Sequence, residues 1–262
     1  YRGEVASVDF QAPGSKDAIN EWANKKTNGL IPNVLSEDPS PETVCILANS
    51  LYFSDRWDWE FNPNKTESSI FHGVKDDLEA PFMVRTGEQR YYEDDSVQAV
   101  KLNFTGLSSM TVLLPKQGIS VRDVIGLLSE GYLKELEFGN YKGTLKLPRF
   151  KTETKQQLNP VLQSLGLTAM FDAAVDSFGG LVQEEFPYPI YISEVFQKNF
   201  IEVDEKGTTA AAVTVIEAPS GAEPPQEEPP PFEMIVDRPF VFLITGRADT
   251  ILFIGAINNI EE

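Results

Sequence analysis

The sequence predicts an α+β fold, with strands outnumbering helices. Three observations predict it. Strand-like runs outnumber helical ones, and five of them crowd between Ser68 and Pro115. The helical periods are few and short. A stretch dense in proline, Ala218–Pro231, leaves only about 30 residues of strand character behind it, too little for a domain of its own. The two sides of that stretch therefore share one fold.

In chain order, Glu4–Phe10 alternates enough for a strand, and Gln11–Ser15 turns at Pro13 and Gly14. Lys16–Lys26 carries Ile19, Trp22 and Ala23 on one helical face, with Ser15 as N-cap and Gly29 as stop. Thr43–Phe53 is apolar with little alternation, the pattern of a strand buried on both faces. Ser68–Phe71, Glu79–Val84, Gln89–Glu93, Gln98–Phe104 and Ser109–Pro115 are short strands separated by Gly, Asp and Asn turns. Val121–Leu128 and Tyr132–Phe138 read as helices. Lys142–Phe150 is a strand, and Gln156–Leu165 a helix closed by Gly166. Ile190–Val203 is a long strand. After the proline-rich stretch come the strands Phe232–Val236, Pro239–Thr245 and Ile251–Ile257, the last two expected as a buried hairpin.

Composition narrows the function. A formal net charge of −18 disfavours nucleic acid and anionic membrane surfaces as partners, and no apolar run has the length of a membrane span. Cys45 is the single cysteine and sits in an apolar run, so it reads as a buried thiol. His72 is the single histidine. No nucleophile elbow, phosphate loop or zinc motif is present, so no catalytic residue, metal or cofactor is expected. Two sequons begin at Asn64 and Asn103.

The stretch Asp204–Glu217, DEKGTTAAAVTVIE, stands out between the long strand and the proline-rich tether. Gly207 is a pivot, and small or β-branched residues follow with no charge or proline through Ile216. Ten residues, Thr208–Glu217, would add roughly 33 Å of strand. Alternation would place Thr208, Ala210, Ala212, Thr214 and Ile216 on one face, the first four small enough to pass under a covering helix.

Here the sequence resembles a known family. DEKGTTAAAVT is similar to the reactive-loop hinge of serpins, and FEMIVDRPFVFLI (Phe232–Ile244) to the signature that follows that loop. ANSLYFSDRW (Ala48–Trp57), AINEWANKKTNGLI (Ala18–Ile31), LKLPRF (Leu145–Phe150), LNPVLQSLGLTAMF (Leu158–Phe171) and ILFIGAI (Ile251–Ile257) resemble further serpin segments in the right order. The resemblance implies one serpin domain over residues 1–262 with an exposed reactive-centre loop at about 205–231. It also implies an inhibitor of serine proteases that acts as a suicide substrate. The target is acylated on the loop, and the cut loop enters the main sheet as a new strand. A non-inhibitory serpin (chaperone, carrier or storage protein) and a truncated inactive one are the alternatives, because the family's first helices precede the residues that match Tyr1. The partner implied is a target protease held as a covalent acyl complex by a monomer prone to loop–sheet polymers. A secreted location is favoured.

Residue by residue, the resemblance gives a hinge at Glu205, Gly207, Thr208, Thr209, Ala210, Ala211 and Ala212. It puts a shutter at Asn49 and a breach at Trp57, with Arg149 as the base paired with Glu205. Gln197 stands where most serpins have a shutter histidine. The loop is long: counting fourteen from Gly207 gives Gly221, and counting eleven back from Pro239 gives Glu228. The hinge count is preferred, because strand insertion sets that length. The expected reactive bond is Gly221–Ala222, and its small residues suit an elastase-like or subtilisin-like protease.

Overall fold

The computed structural model describes residues 3–181, 189–208 and 230–260. They fall into two compact units, one of residues 1–52 with 153–200 and one of 53–152 with 201–262.

In the first unit, helix α1 (Ser15–Lys26) starts after Gly14, which takes the left-handed conformation that glycine allows. Its free N–H groups are satisfied from far along the chain, since the Asp38 carboxylate accepts from Gly14 and Lys16. Ala23 is fully buried against Ile31, Val34 and Leu35 of the following segment. Asn20 staples that segment down, accepting from the N–H of Val34 and Leu35 and donating to the Leu35 carbonyl. Beneath lie Ile46, Ala48 and Tyr52 of β1 (Ile46–Tyr52), with Phe196 and Phe200 on a later strand. Glu4–Phe10, expected as a strand, forms none; Glu4 instead accepts from the Trp22 indole and pairs with Lys26.

The second unit opens with the two-residue strand β2 (Asp55–Arg56). Then come β3 (Glu67–His72), β4 (Asp77–Glu93), β5 (Val97–Asn103) and β6 (Ser109–Pro115). Helices α2 (Val121–Leu127) and α3 (Glu130–Glu135) precede β7 (Gly139–Pro148) and β8 (Phe150–Gln157). Two expected strands, Glu79–Val84 and Gln89–Glu93, are one, because Gly87 at φ 147° carries the chain through without a break. Residues 153–200 belong to the first unit, with α4 (Asn159–Ser164) and most of β9 (Glu194–Val203), and the second unit closes with β10 (Gly207–Thr208), β11 (Phe232–Ile235), β12 (Phe240–Thr245) and β13 (Ile251–Ile257).

Three sheets result. β1, β9 and β8 form one, and β1 and β9 pair in parallel from Ile46↔Glu194 to Tyr52↔Phe200. β10 pairs with β2. The third runs β11-β7-β4-β5-β6-β12-β13, with β3 on β4. Its neighbours are antiparallel except β11 and β7. Every residue of β6 is buried, because one face meets the aromatic core of Phe82, Phe240 and Phe242 and the other meets α2 and α3.

Two burial expectations change. β1 is not buried on both faces: α1 covers Ile46 and Ala48, while Leu47 and Asn49 on the other face are exposed. β12 is buried as expected, whereas β13 pairs only with β12 among the described residues, and Ile251, Leu252 and Ile254 are exposed.

Glycine at 143 is demanded by packing, since a Cβ there would come within 2.2 Å of the Phe232 ring and 2.4 Å of its carbonyl oxygen. Gly143→Val is expected to destabilise the eight-stranded sheet by about 1–3 kcal/mol through overpacking. Urea unfolding measures it, and an unchanged midpoint would contradict the close approach.

Candidate functional site

The described residues place one built constellation in front of residues 209–229. β9 ends at Val203, and the next four residues turn back on themselves. The Asp204 carboxylate accepts from the N–H of Lys206 and Gly207, and the main chains of Asp204 and Gly207 bond each other. Asp at the first position of such a turn offers its side chain as the acceptor the backbone lacks.

Gly207 has φ 137°, and a Cβ on it would lie 2.3 Å from the Asp55 carbonyl oxygen and 2.7 Å from the Arg56 Cα. Only glycine permits that approach. It lets β10 lie antiparallel on β2, with Gly207↔Arg56 and Thr208↔Asp55. Thr208 is fully buried; its hydroxyl accepts from the Asp55 N–H at 2.9 Å and donates to the Asp55 carbonyl at 3.2 Å.

Around this turn the chain is tied at every step. The Trp57 indole N–H donates to the Asp204 carbonyl at 2.9 Å. The N–H of Phe61 donates to the Glu205 carbonyl, and that of Trp57 to the Lys206 carbonyl. Trp57 is 2% exposed and stacks on Phe104 with ring centroids 4.3 Å apart. The Glu205 side chain is buried and takes three charge-assisted bonds from Arg149, at 2.6, 2.9 and 3.0 Å, and one from the Thr66 hydroxyl. Burial pushes the Glu205 pKa up, but the bonds from Arg149 and Thr66 with the charge of Arg149 outweigh it, and the carboxyl sits below its ordinary value. The same bond raises Arg149.

Thus Trp57, Arg149, Glu205, Gly207 and Thr208 come together. Asn49 and Gln197 lie in the other unit, paired across β1 and β9, with Asn49 Nδ2 3.5 Å from Gln197 Oε1. The Gln197 amide also donates to Asn199. Thr209, Ala210, Ala211, Ala212, Gly221 and Ala222 lie outside the described residues.

A model of the family described as "Serpin (serine protease inhibitor)" matches residues 1–260. The chain belongs to the serpin family. It is 35% identical over its full length to an uncharacterised serpin-like protein of Thermococcus kodakarensis, covering 61% of that protein. It is 34% identical over 99% of its length to Iripin-2 of Ixodes ricinus, covering 66% of it. The fold matches thyroxine-binding globulin in complex with thyroxine at a TM-score of 0.83 and 26% identity, over 99% of this chain and 68% of that one. The chain thus spans about three fifths to two thirds of the length of these serpins.

Sequence reasoning missed several residues of the site. Thr66 and Thr105 end the two sequons, which drew attention to Asn64 and Asn103; in the structure both hydroxyls are bound to acids, Glu205 and Asp55. Asp55 sits in the polar run SDR, where nothing local marks it. Phe61 lies between elements and Phe104 just past β5, and only the fold sets Phe61 edge-on to Trp57 and stacks Phe104 on it.

Glu205→Lys is expected to leave Arg149 facing a like charge. The cost is about 1–3 kcal/mol, less than for a fully buried pair because Arg149 is 46% exposed. Heating the variant should give polymers or a latent monomer on native gels; monomer stability equal to wild type would sink the pairing. Because the Glu205 pKa is lowered on folding, its contribution is present above the ordinary glutamate value of 4.5 and is lost as pH falls through the lower folded value. The gap in thermal midpoint between wild type and Glu205→Gln should close as the pH is taken below that range.

Proposed function

We propose that this serpin inhibits serine proteases by inserting its cut loop, residues 208–217, between β1 and β9. The observation that carries the reading is a match of three separate registers. Continuing the Thr208↔Asp55 pairing along β1 sets Thr214 opposite Asn49 and Glu217 opposite Ile46. Continuing the Asp204↔Gly207 hairpin back along β9 sets the same Thr214 opposite Gln197 and Glu217 opposite Glu194. Asn49 already pairs with Gln197, and Ile46 with Glu194. A strand can therefore enter between β1 and β9 without either having to slip.

In that register the facing would differ from the one expected from alternation. Directly paired residues share a face, so Ala211, Val213, Val215 and Glu217 would join Tyr52, Ser50, Ala48 and Ile46, the face that α1 covers. Thr208, Ala210, Ala212, Thr214 and Ile216 would take the face of Leu47, Asn49 and Leu51.

The chemistry is supplied by the target. Its serine Oγ bonds to the carbonyl carbon of residue 221, and the 221–222 amide breaks. The proton goes to the new amine of Ala222, and an ester holds the protease to the loop. Insertion then removes the ester from a working active site before water can attack it. Elastase-like and subtilisin-like proteases fit the small residues at 220–222.

Incubation with these proteases should give a denaturant-resistant complex and a released peptide beginning at Ala222 by mass spectrometry. Clean cleavage with no complex and no gain in thermal stability would eliminate inhibition. Thr214→Arg places a charge between Asn49 and Gln197. It is expected to lower complex formation at least about tenfold while the loop is still cut.

A carrier is the second reading, and one feature favours it. A cavity of about 630 Å³ opens beside β5 and the β12–β13 turn, where Arg90, Lys101 and Arg247 gather around Phe104 and Leu107. Asp58 and Asp249 line the same recess and Asp249 pairs with Lys101, so it is partly apolar and of mixed charge, with Arg90 and Arg247 as the cations outside that pair that could meet an anionic aromatic molecule. Titration with thyroxine, the ligand of the structurally similar globulin, tests it: saturable binding lost in Arg247→Glu would support a carrier, and none would dismiss thyroxine as cargo.

A further inference from the structure

We infer that Asp55 is a positioning residue that sets the depth at which the hinge rests, so that the inserted strand grows from a nucleus already formed. The inference rests on the loop-insertion reading. Asp55 works in two directions at once. Its main chain brackets the buried Thr208 hydroxyl with both N–H and C=O. Its carboxylate points into the turn between β5 and β6, where Oδ1 accepts from the Thr105 hydroxyl at 3.0 Å. Oδ2 accepts from the Gly106 N–H at 3.1 Å and the Ser108 hydroxyl at 3.0 Å. Oδ1 also accepts from the Arg56 N–H at 2.8 Å, which aims the side chain.

The turn is rigid enough to serve as an anchor. Phe104 bonds Ser108 across it, the Thr105 N–H donates to the Arg56 carbonyl, and Leu107 holds a left-handed φ of 67°. Gly106 fits because a Cβ there would lie 2.5 Å from Asp55 Oδ2. An ionised acceptor with several fixed donors makes a stronger tie than neutral hydrogen bonds would. β2 is only two residues long, so its two pairs with β10 depend on this bolt.

The consequence concerns the race after acylation. Ordering the first residues of a new strand costs conformational entropy before any ladder repays it. Here Gly207 and Thr208 are already paired, and the remaining residues extend an existing end. Loosening Asp55 should free the hinge, slow the start of insertion and let water release more protease before it is trapped.

Two variants of the whole chain test this from opposite sides: Asp55→Ala removes the acceptor, and Gly106→Ala pushes on it. Amide hydrogen exchange at residues 55, 57 and 207 is expected to quicken about tenfold in both, with β5 and β6 unchanged. Against a protease that wild type traps, the inhibitor consumed per protease trapped should rise about threefold, with kcat/KM for loop cleavage within about twofold. Unaltered exchange at the hinge would overturn the proposal. So would a uniform rise that includes β5 and β6, which means a merely structural role, or a freed hinge with unchanged partition. If wild type traps no protease, loop insertion itself fails, and hinge exchange still decides whether Asp55 positions Thr208.

Discussion

Everything around the hinge depends on one close approach, the main chain of Gly207 against the main chain of Asp55 and Arg56. A Cβ at 207 would overlap the Asp55 carbonyl. Without it the chain leaves β9, turns within four residues and lies flat on β2. The three carbonyls of 204–206, freed by the end of the ladder, then find donors in Trp57 and Phe61. A buried turn needs such partners, because an unpaired carbonyl away from water costs about as much as a lost hydrogen bond.

The polar groups placed there define one conformation more than they add stability. Glu205 is buried and Arg149 half exposed, so part of their attraction only offsets the desolvation of the carboxylate. What the bidentate geometry and the Thr66 hydroxyl add is direction: the acid can sit in one place, and the turn with it. Trp57 acts similarly through shape. Its ring is stacked on Phe104 and its indole N–H is committed, so it holds the Asp204 carbonyl in a fixed position. Under the proposed loop insertion, this turn would stay seated while the residues beyond it are cut.

β1 and β9 show the complementary design. They pair in parallel, with polar Asn49 and Gln197 facing each other at a long 3.5 Å contact. Nearby, Lys198 is buried and held by Glu153 and the Asn33 carbonyl, and the Ser50 hydroxyl opposite it has no partner. A seam with an orphan hydroxyl and a weak amide contact gains less per residue than an apolar one. That is consistent with strands that separate when a better partner is offered.

Much of this was legible in the sequence. The stretch after Gly207, expected as a hinge, stands out because its composition is extreme: one glycine, then small and β-branched residues with no charge. The α1 face, β5, β6 and β12 were found because their periodicity is local. Composition and the missing nucleophile motifs count against an enzyme, and the run of motifs points to the family. Tertiary structure decided the rest. Glu4–Phe10 alternates like a strand, but among the described residues it pairs with none, and Glu4 binds Trp22 and Lys26. β13 reads as core because it is apolar, yet among the described residues only β12 pairs with it and its other side is exposed. Asp55, Thr66 and Phe104 carry no local mark, since their meaning lies in what the fold brings to them from 50 to 150 residues away. Sequence composition marks 208–217 as the segment proposed to insert. Only the paired registers of β1, β9 and β10 decided where it would lie, because hydrogen-bond register belongs to a pair of strands and never to one.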